Sequence, residues 1–341
     1  FNNVKGSGSG HVHLFGNFSK VTVEGEAYIE NGGIGINFLN TNYSFTDTIV
    51  MKEDLIYFSD IDFHDEKGNI AKVSGRVAHD YFSNFMYYVD LNGENFMVYN
   101  APEKLNPMFY GTVFATGTGV IKGDETAVDL NMNLRTDRNT SVYMNFMEEA
   151  AAEYSFITYK TDSTETDSIT GITTNRFKPN RFTTDSGIEM NMNFYIDATP
   201  DASVEFLMDP VGGDRLKGSG SGALQFDWGS NKDPMLYGTY QITKGSYNFT
   251  FQKILERKFN IQEGSSVQFR GDPFQANIDI TAVYRVTANL NDLDRNLAMT
   301  TGQTSVPVNC LLNITGPLRH PNVNLDVELP SADPEVQRQV K

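Results

Sequence analysis

Few side chains in this sequence have both the type and the spacing to do chemistry. His11 and His13 would share one side of a strand, which is how a metal site can begin. The other histidines, His64, His79 and His320, stand apart, and no Cys or Glu cluster joins the pair, so surface or packing roles are expected. Asp60, Asp62 and Asp65 suggest calcium, but His64 and the late Gly68 break the order of ligands and glycine in an EF-hand; a hairpin turn accounts for them more simply. The GSGSG segments starting at Gly6 and Gly218 lack the Lys and Ser or Thr of a phosphate loop and are read as bends or tight turns. Carboxylates are numerous enough for a glycosidase pair, yet nothing in the sequence sets their separation, and no Ser, His, Asp set is evident. Cys310, the single cysteine, falls in phase with Val306, Val308, Leu312 and Ile314 and reads as a small apolar core residue; an intrachain disulfide is impossible. No enzyme, cofactor or metal is therefore expected.

The elements that carry these residues are strands. From Asn322 to Pro330 the apolar residues Val323, Leu325, Val327 and Leu329 alternate with Asn324, Asp326 and Glu328, the signature of a strand with one wet face. The same period holds at Met190, Met192, Phe194 and Ile196, and at Leu224, Phe226 and Trp228. It recurs at Leu130, Met132 and Leu134, at Val21 and Val23, at Ile278, Ile280, Ala282 and Tyr284, and in the pairs Phe249 and Phe251, and Phe259 and Ile261. Parallel strands covered on both faces would read as continuous apolar runs, so an antiparallel all-β chain is expected. Aromatic residues join this face at Tyr247 and Phe269, with Val267, Val308, Cys310 and Leu312 in phase. Periodicity alone leaves a sandwich, a barrel and an open groove possible.

Composition agrees. Gly, Asn, Thr, Tyr and Phe are plentiful among the 341 residues. A formal net charge of -16 disfavours nucleic acid and anionic headgroups as direct electrostatic partners. No apolar stretch is long enough to span a bilayer as a helix. Phe1 opens directly on a strand-like region, and Ser331, Asp333 and Pro334 start a helix cut off at Lys341, so the sequence reads as an excerpt. Lys160 to Ser186 turns polar and aperiodic, and Met147 to Ala152 is suited to a short helix. The expected layout is a β-groove over 1–159, a polar insertion over 160–187, a second groove segment over 188–330 and a helix start over 331–341. GSGSG recurs between the halves, and MFYGT from Met108 is echoed by MLYGT from Met235. Roughly 20 strands at about 4.8 Å would make a sheet of around 100 Å, which favours a strongly curved, rod-like sheet enclosing its apolar face.

The run from Gly238 to Val286 resembles the C-terminal region of the TamB family of translocation and assembly proteins, in the form found in Bacteroidota. The likeness lies in the repeated glycine and tyrosine hairpin at Gly238, Tyr240, Gly245 and Tyr247, the step at Lys258, Phe259, Ile261 and Gly264, and the turn at Gly271, Asp272 and Pro273. Segments from Ile196 and from Leu329 resemble flanking parts of the same family. The resemblance implies an AsmA-like β-groove anchored in the inner membrane and crossing the periplasm toward the outer membrane. It implies outer-membrane biogenesis by phospholipid transfer or by protein assembly with an Omp85-type partner, engaged through a segment beyond Lys341. On that reading the residues expected to line a lipid groove are Met192, Phe194, Ile196, Phe226, Trp228, Tyr247, Phe249, Phe251, Phe259 and Ile261, together with Val267, Phe269, Ile278, Ile280, Val308, Cys310, Leu312, Val323, Leu325 and Val327. The alternatives are a scaffold that pairs with unfolded strands and, third, a carbohydrate-active β-solenoid enzyme.

Overall fold

Alternating residues make strands with one dry face, and strands account for 81% of the computed structural model, which describes residues 2–18, 20–145, 188–209, 214–251, 255–289 and 305–330. Among these, eighteen strands form one sheet, and the helical content is a 3-10 turn at Pro273–Gln275. β1 (Asn2–Asn17), β2 (Lys20–Ile36), β3 (Thr41–Lys52), β4 (Leu55–His64), β5 (Ile70–Asp80), β6 (Ser83–Ala101) and β7 (Phe109–Gly123) form an antiparallel meander. β8 (Ala127–Thr136) and β9 (Ser141–Asn145) then lie end to end against β7. β10 (Glu189–Ala198) and β11 (Ser203–Asp209) repeat that arrangement, parallel to β8 and β9. Antiparallel pairing resumes with β12 (Asp214–Gly229) and β13 (Lys232–Phe251). A third end-to-end pair, β14 (Leu255–Ile261) and β15 (Ser266–Gly271), leads to β16 (Asn277–Asn289), β17 (Ser305–Pro317) and β18 (Asn322–Glu328).

The all-β expectation holds, with two corrections. Three end-to-end pairs reduce eighteen strands to fifteen ranks, so the contour of the sheet across its strands is roughly 67 Å rather than around 100 Å. The pairing is also mixed, because β8 to β10 and β9 to β11 are parallel. A parallel junction needs a crossover of a dozen or more residues, and residues 146–187 make this connection. The expected helix at Met147 to Ala152, the insertion over 160–187 and the helix start over 331–341 lie outside the described residues.

The sheet is rolled. β3 and β6 are three ranks apart, about 14 Å if flat, yet the rings of Tyr43 and Phe96 stack 5.0 Å apart and the Tyr43 hydroxyl donates to the Met97 carbonyl at 2.9 Å. Both GSGSG segments lie inside strands, β1 and β12, rather than at turns. At Gly220 the register with β13 slips, and a Cβ would lie 2.0 Å from the Gln241 carbonyl oxygen. Glycine therefore permits a close backbone approach at a bulge, which bends the strand without ending it. The MFYGT echo is a shared backbone device: Gly111 and Gly238 have φ of 128° and 122°. Five strands separate GSGSG from that device in the first half and none in the second, so the two motifs occupy different places in the sheet.

Candidate functional site

Because side chains alternate across a pleated strand, the pairing registers decide which residues share a face. Met132, Phe194, Phe226 and Leu236 stand side by side across β8, β10, β12 and β13, with Leu134, Ile196 and Leu224 in the next row and Leu130, Met192 and Trp228 in the one before. Leu216, Tyr247 and Phe259 continue the face, and Ile261, Ala282, Leu312 and Leu325 form a row through β14, β16, β17 and β18. Val267 opposes Ile278, Ile280 opposes Ile314 and then Val323, and Cys310 lies between Tyr284 and Val327. Phe249 opposes Arg257, Phe269 opposes Gly238, and Val308 opposes Val286. The residues read from the sequence as one apolar face thus share one face of the sheet; the Phe251 side chain lies outside those described.

Exposure divides this inner face into zones. Tyr247, Phe259, Ile261, Val267, Phe269, Ile278, Ile280 and Leu312 are buried in one cluster that runs from Ala198 to Leu318, with Phe226, Phe249 and Cys310 packed against it. Phe194 and Ile196 are half-buried, as are Leu91, Leu130 and Met132. At the far strand Val323, Leu325 and Val327 are 49, 58 and 38% exposed, an apolar face open to solvent. A smaller cluster over β2 to β6 contains Tyr43, Ala71, Val73 and Phe96. Sequence reasoning left this part of the face out because bulges reset its phase: Phe58 pairs with Gly75 and Ile61 with Val73, so two residues an odd number apart face the same way.

One contact joins distant ranks. Phe38, in the turn between β2 and β3, stacks on Trp228 of β12 with ring centroids 6.1 Å apart. Eight ranks would span about 38 Å in a flat sheet, so this contact requires the sheet to curl until the turn after β2 meets β12. The interior is poorly solvating: burial pushes the phenols of Tyr43, Tyr99 and Tyr240 up to about 12. Charges sit at the rim. Asp214 accepts from the Tyr247 hydroxyl at 3.0 Å and the Thr250 amide at 2.8 Å, and the Arg257 guanidinium lies 5.9 Å from the Tyr284 ring centre. Arg257 keeps the phase of Phe259 and Ile261, the one sequence signal that could have placed it on this face.

The other candidates are structural. His11 and His13 oppose Glu26 and Glu24 across β1 and β2, and among the described residues no group of three or more His, Cys, Asp or Glu converges. Asp65 is buried in the turn between β4 and β5, where its carboxylate accepts from the amides of Lys67, Asn69 and Met97 and from the Asn69 side chain, at 2.8 to 2.9 Å.

A single rolled β-sheet with one continuous apolar face and a polar exterior defines the class: an elongated β-groove protein. A family model, the TamB C-terminal domain, matches residues 59–340, and the chain belongs to the TamB family. The match reaches well before the segment that carries the sequence motifs. Comparison with curated proteins gave no match. TamB proteins are non-enzymatic transport and assembly modules of outer-membrane biogenesis that span the periplasm and work with an Omp85-type partner. Among the described residues no helix is long and apolar enough to cross a membrane.

Proposed function

We propose that this chain is a segment of a periplasmic phospholipid conduit, in which acyl chains lie along the inner face while headgroups stay at its rim. The observation that carries this reading is the run of inner rows that stays apolar from β8 through β18 without an intervening charge in its middle. Each buried methylene contributes about 0.8 kcal/mol whatever its neighbour, so movement along such a surface needs no specific chemistry. The half-buried stretch around Met132, Phe194 and Phe226 is the section most open to a chain, and Arg257 at the rim suits a phosphate. The buried cluster from β13 to β17 must open for passage. Ile280 is 1% exposed, so Ile280→Asp would unfold the chain rather than report on transport. Phe194→Asp is the sharper variant. Mass spectrometry of the purified protein should find retained phospholipid, reduced several-fold in Phe194→Asp and unchanged in Asn193→Asp on the opposite face. Equal retention in both variants, or a lipid-free wild type, would overturn the reading.

A second reading rests on β18. All seven of its residues are exposed, and among the described residues it pairs only with β17. A free edge of this kind can accept an incoming strand, as scaffolding of outer-membrane proteins would need. Strand-edge crosslinks from β18 to an unfolded outer-membrane protein would support it, and their absence under conditions that crosslink lipid to the floor would eliminate it.

A further inference from the structure

The outer face of the central strands carries an organised surface that the groove does not use. Across β8, β10, β12 and β13, Asn133, Tyr195, Gln225 and Tyr237 stand in one cross-strand row. Beside it run Asn131, Asn193 and Asp227, and then Asp129 and Asn191. Tyr195 and Tyr237 are 54 and 44% exposed on a face whose other side chains are mostly polar, with Met235, opposite Asp227, 37% exposed. They lie two ranks apart, about 10 Å by the strand spacing, the reach of a disaccharide.

A depression of about 380 Å³ adjoins them, lined by Lys122, Asp129, Asn131, Asn193, Asp227 and Lys232 among others. Its lining holds two lysines and two carboxylates, so its formal charges are equal in number: Lys122 lies 3.9 Å from Asp129, which also accepts from Asn191 at 3.0 Å. In a chain of net charge -16, such a locally neutral patch suits an uncharged ligand rather than an anion or a metal ion. Tyrosine with Asn and Gln is also the composition of adaptable binding surfaces, rigid rings beside flexible hydrogen-bonding groups.

The geometry points to a binding surface for a neutral oligosaccharide, lying across β10, β12 and β13 with sugar rings stacked on Tyr195 and Tyr237. Asn193, Gln225 and Asp227 bond its hydroxyls. The surface is opposite the apolar floor, and the inference does not depend on the lipid reading.

The test is isothermal titration of the full chain with chitohexaose, a neutral β-1,4-linked probe. Saturable binding is expected, weakened about tenfold or more by Tyr195→Ala with Tyr237→Ala, as loss of two tyrosine anchors implies. It should be retained when both tyrosines become Phe, which keeps the stacking rings, and in Phe194→Asp on the floor. Circular dichroism and Trp228 emission check that the alanine variant is folded. No saturable binding by the wild type, or equal binding by wild type and a folded alanine variant, overturns the inference.

Discussion

At the scale of single residues, the clearest energetics belong to polar groups that hold the roll in shape. Burial pushes the Asp65 carboxyl up, but the hydrogen bonds from Asn69, Met97 and Lys67 outweigh it and hold the group below its ordinary 3.8. A carboxyl depressed in the folded state stabilises the fold above its unfolded pKa, and that stability is lost as pH falls through the folded value. Urea midpoints should therefore drop below about pH 4 more steeply in the wild type than in Asp65→Asn, and Asp65→Asn should cost about 1 to 3 kcal/mol at pH 7. Tyr43 has the opposite sign. Its phenol is raised to about 12, mainly by burial, so its contribution is complete below pH 10 and lost between 10 and 12. Tyr43→Phe should lose about 1 kcal/mol at neutral pH, for the bond to Met97, and show a shallower alkaline loss in the same titration. The sequence marked Asp65 as a turn residue but gave no hint that it reaches Met97 on β6, since that contact depends on curvature.

At the scale of elements, alternation made β10, β12, β16, β17 and β18 legible, together with the apolar face of each. It failed where backbone geometry interrupts the period. The bulges in β2, β4 and β6 reset the phase of the first half, and GSGSG, which resembles a turn by composition, is a strand whose small residues let β12 and β13 approach. Gly220→Ala should therefore destabilise by about 1 to 3 kcal/mol through overpacking against the Gln241 carbonyl. Ser221→Ala, one residue on and exposed, should stay within about 0.5 kcal/mol. Thermal melts of the two variants separate the readings: if GSGSG were a loose turn, both would be silent. The parallel junction was hidden for another reason, because pairing between β8 and β10 depends on where a long connection returns and not on either strand's own pattern.

At the scale of the whole molecule, the apolar face was readable but its accessibility was not. Alternation cannot say whether a face lines an open trough or packs on itself, and here it does both: half-buried around Phe194, buried through Ile280 and Leu312, open at Leu325. The roll is fastened where Phe38 meets Trp228, the single tryptophan. Phe38→Ala should shift Trp228 emission to the red and raise its quenching by acrylamide, while a Trp228 environment set only by its own strands would not respond. The most direct test of the conduit places a photo-crosslinking residue at alternate positions along β10, β12 and β18 in cells. The account predicts phospholipid adducts at positions 194, 226 and 325 and none at 193, 225 and 324; adducts without that alternation, or only on the outward positions, would contradict it.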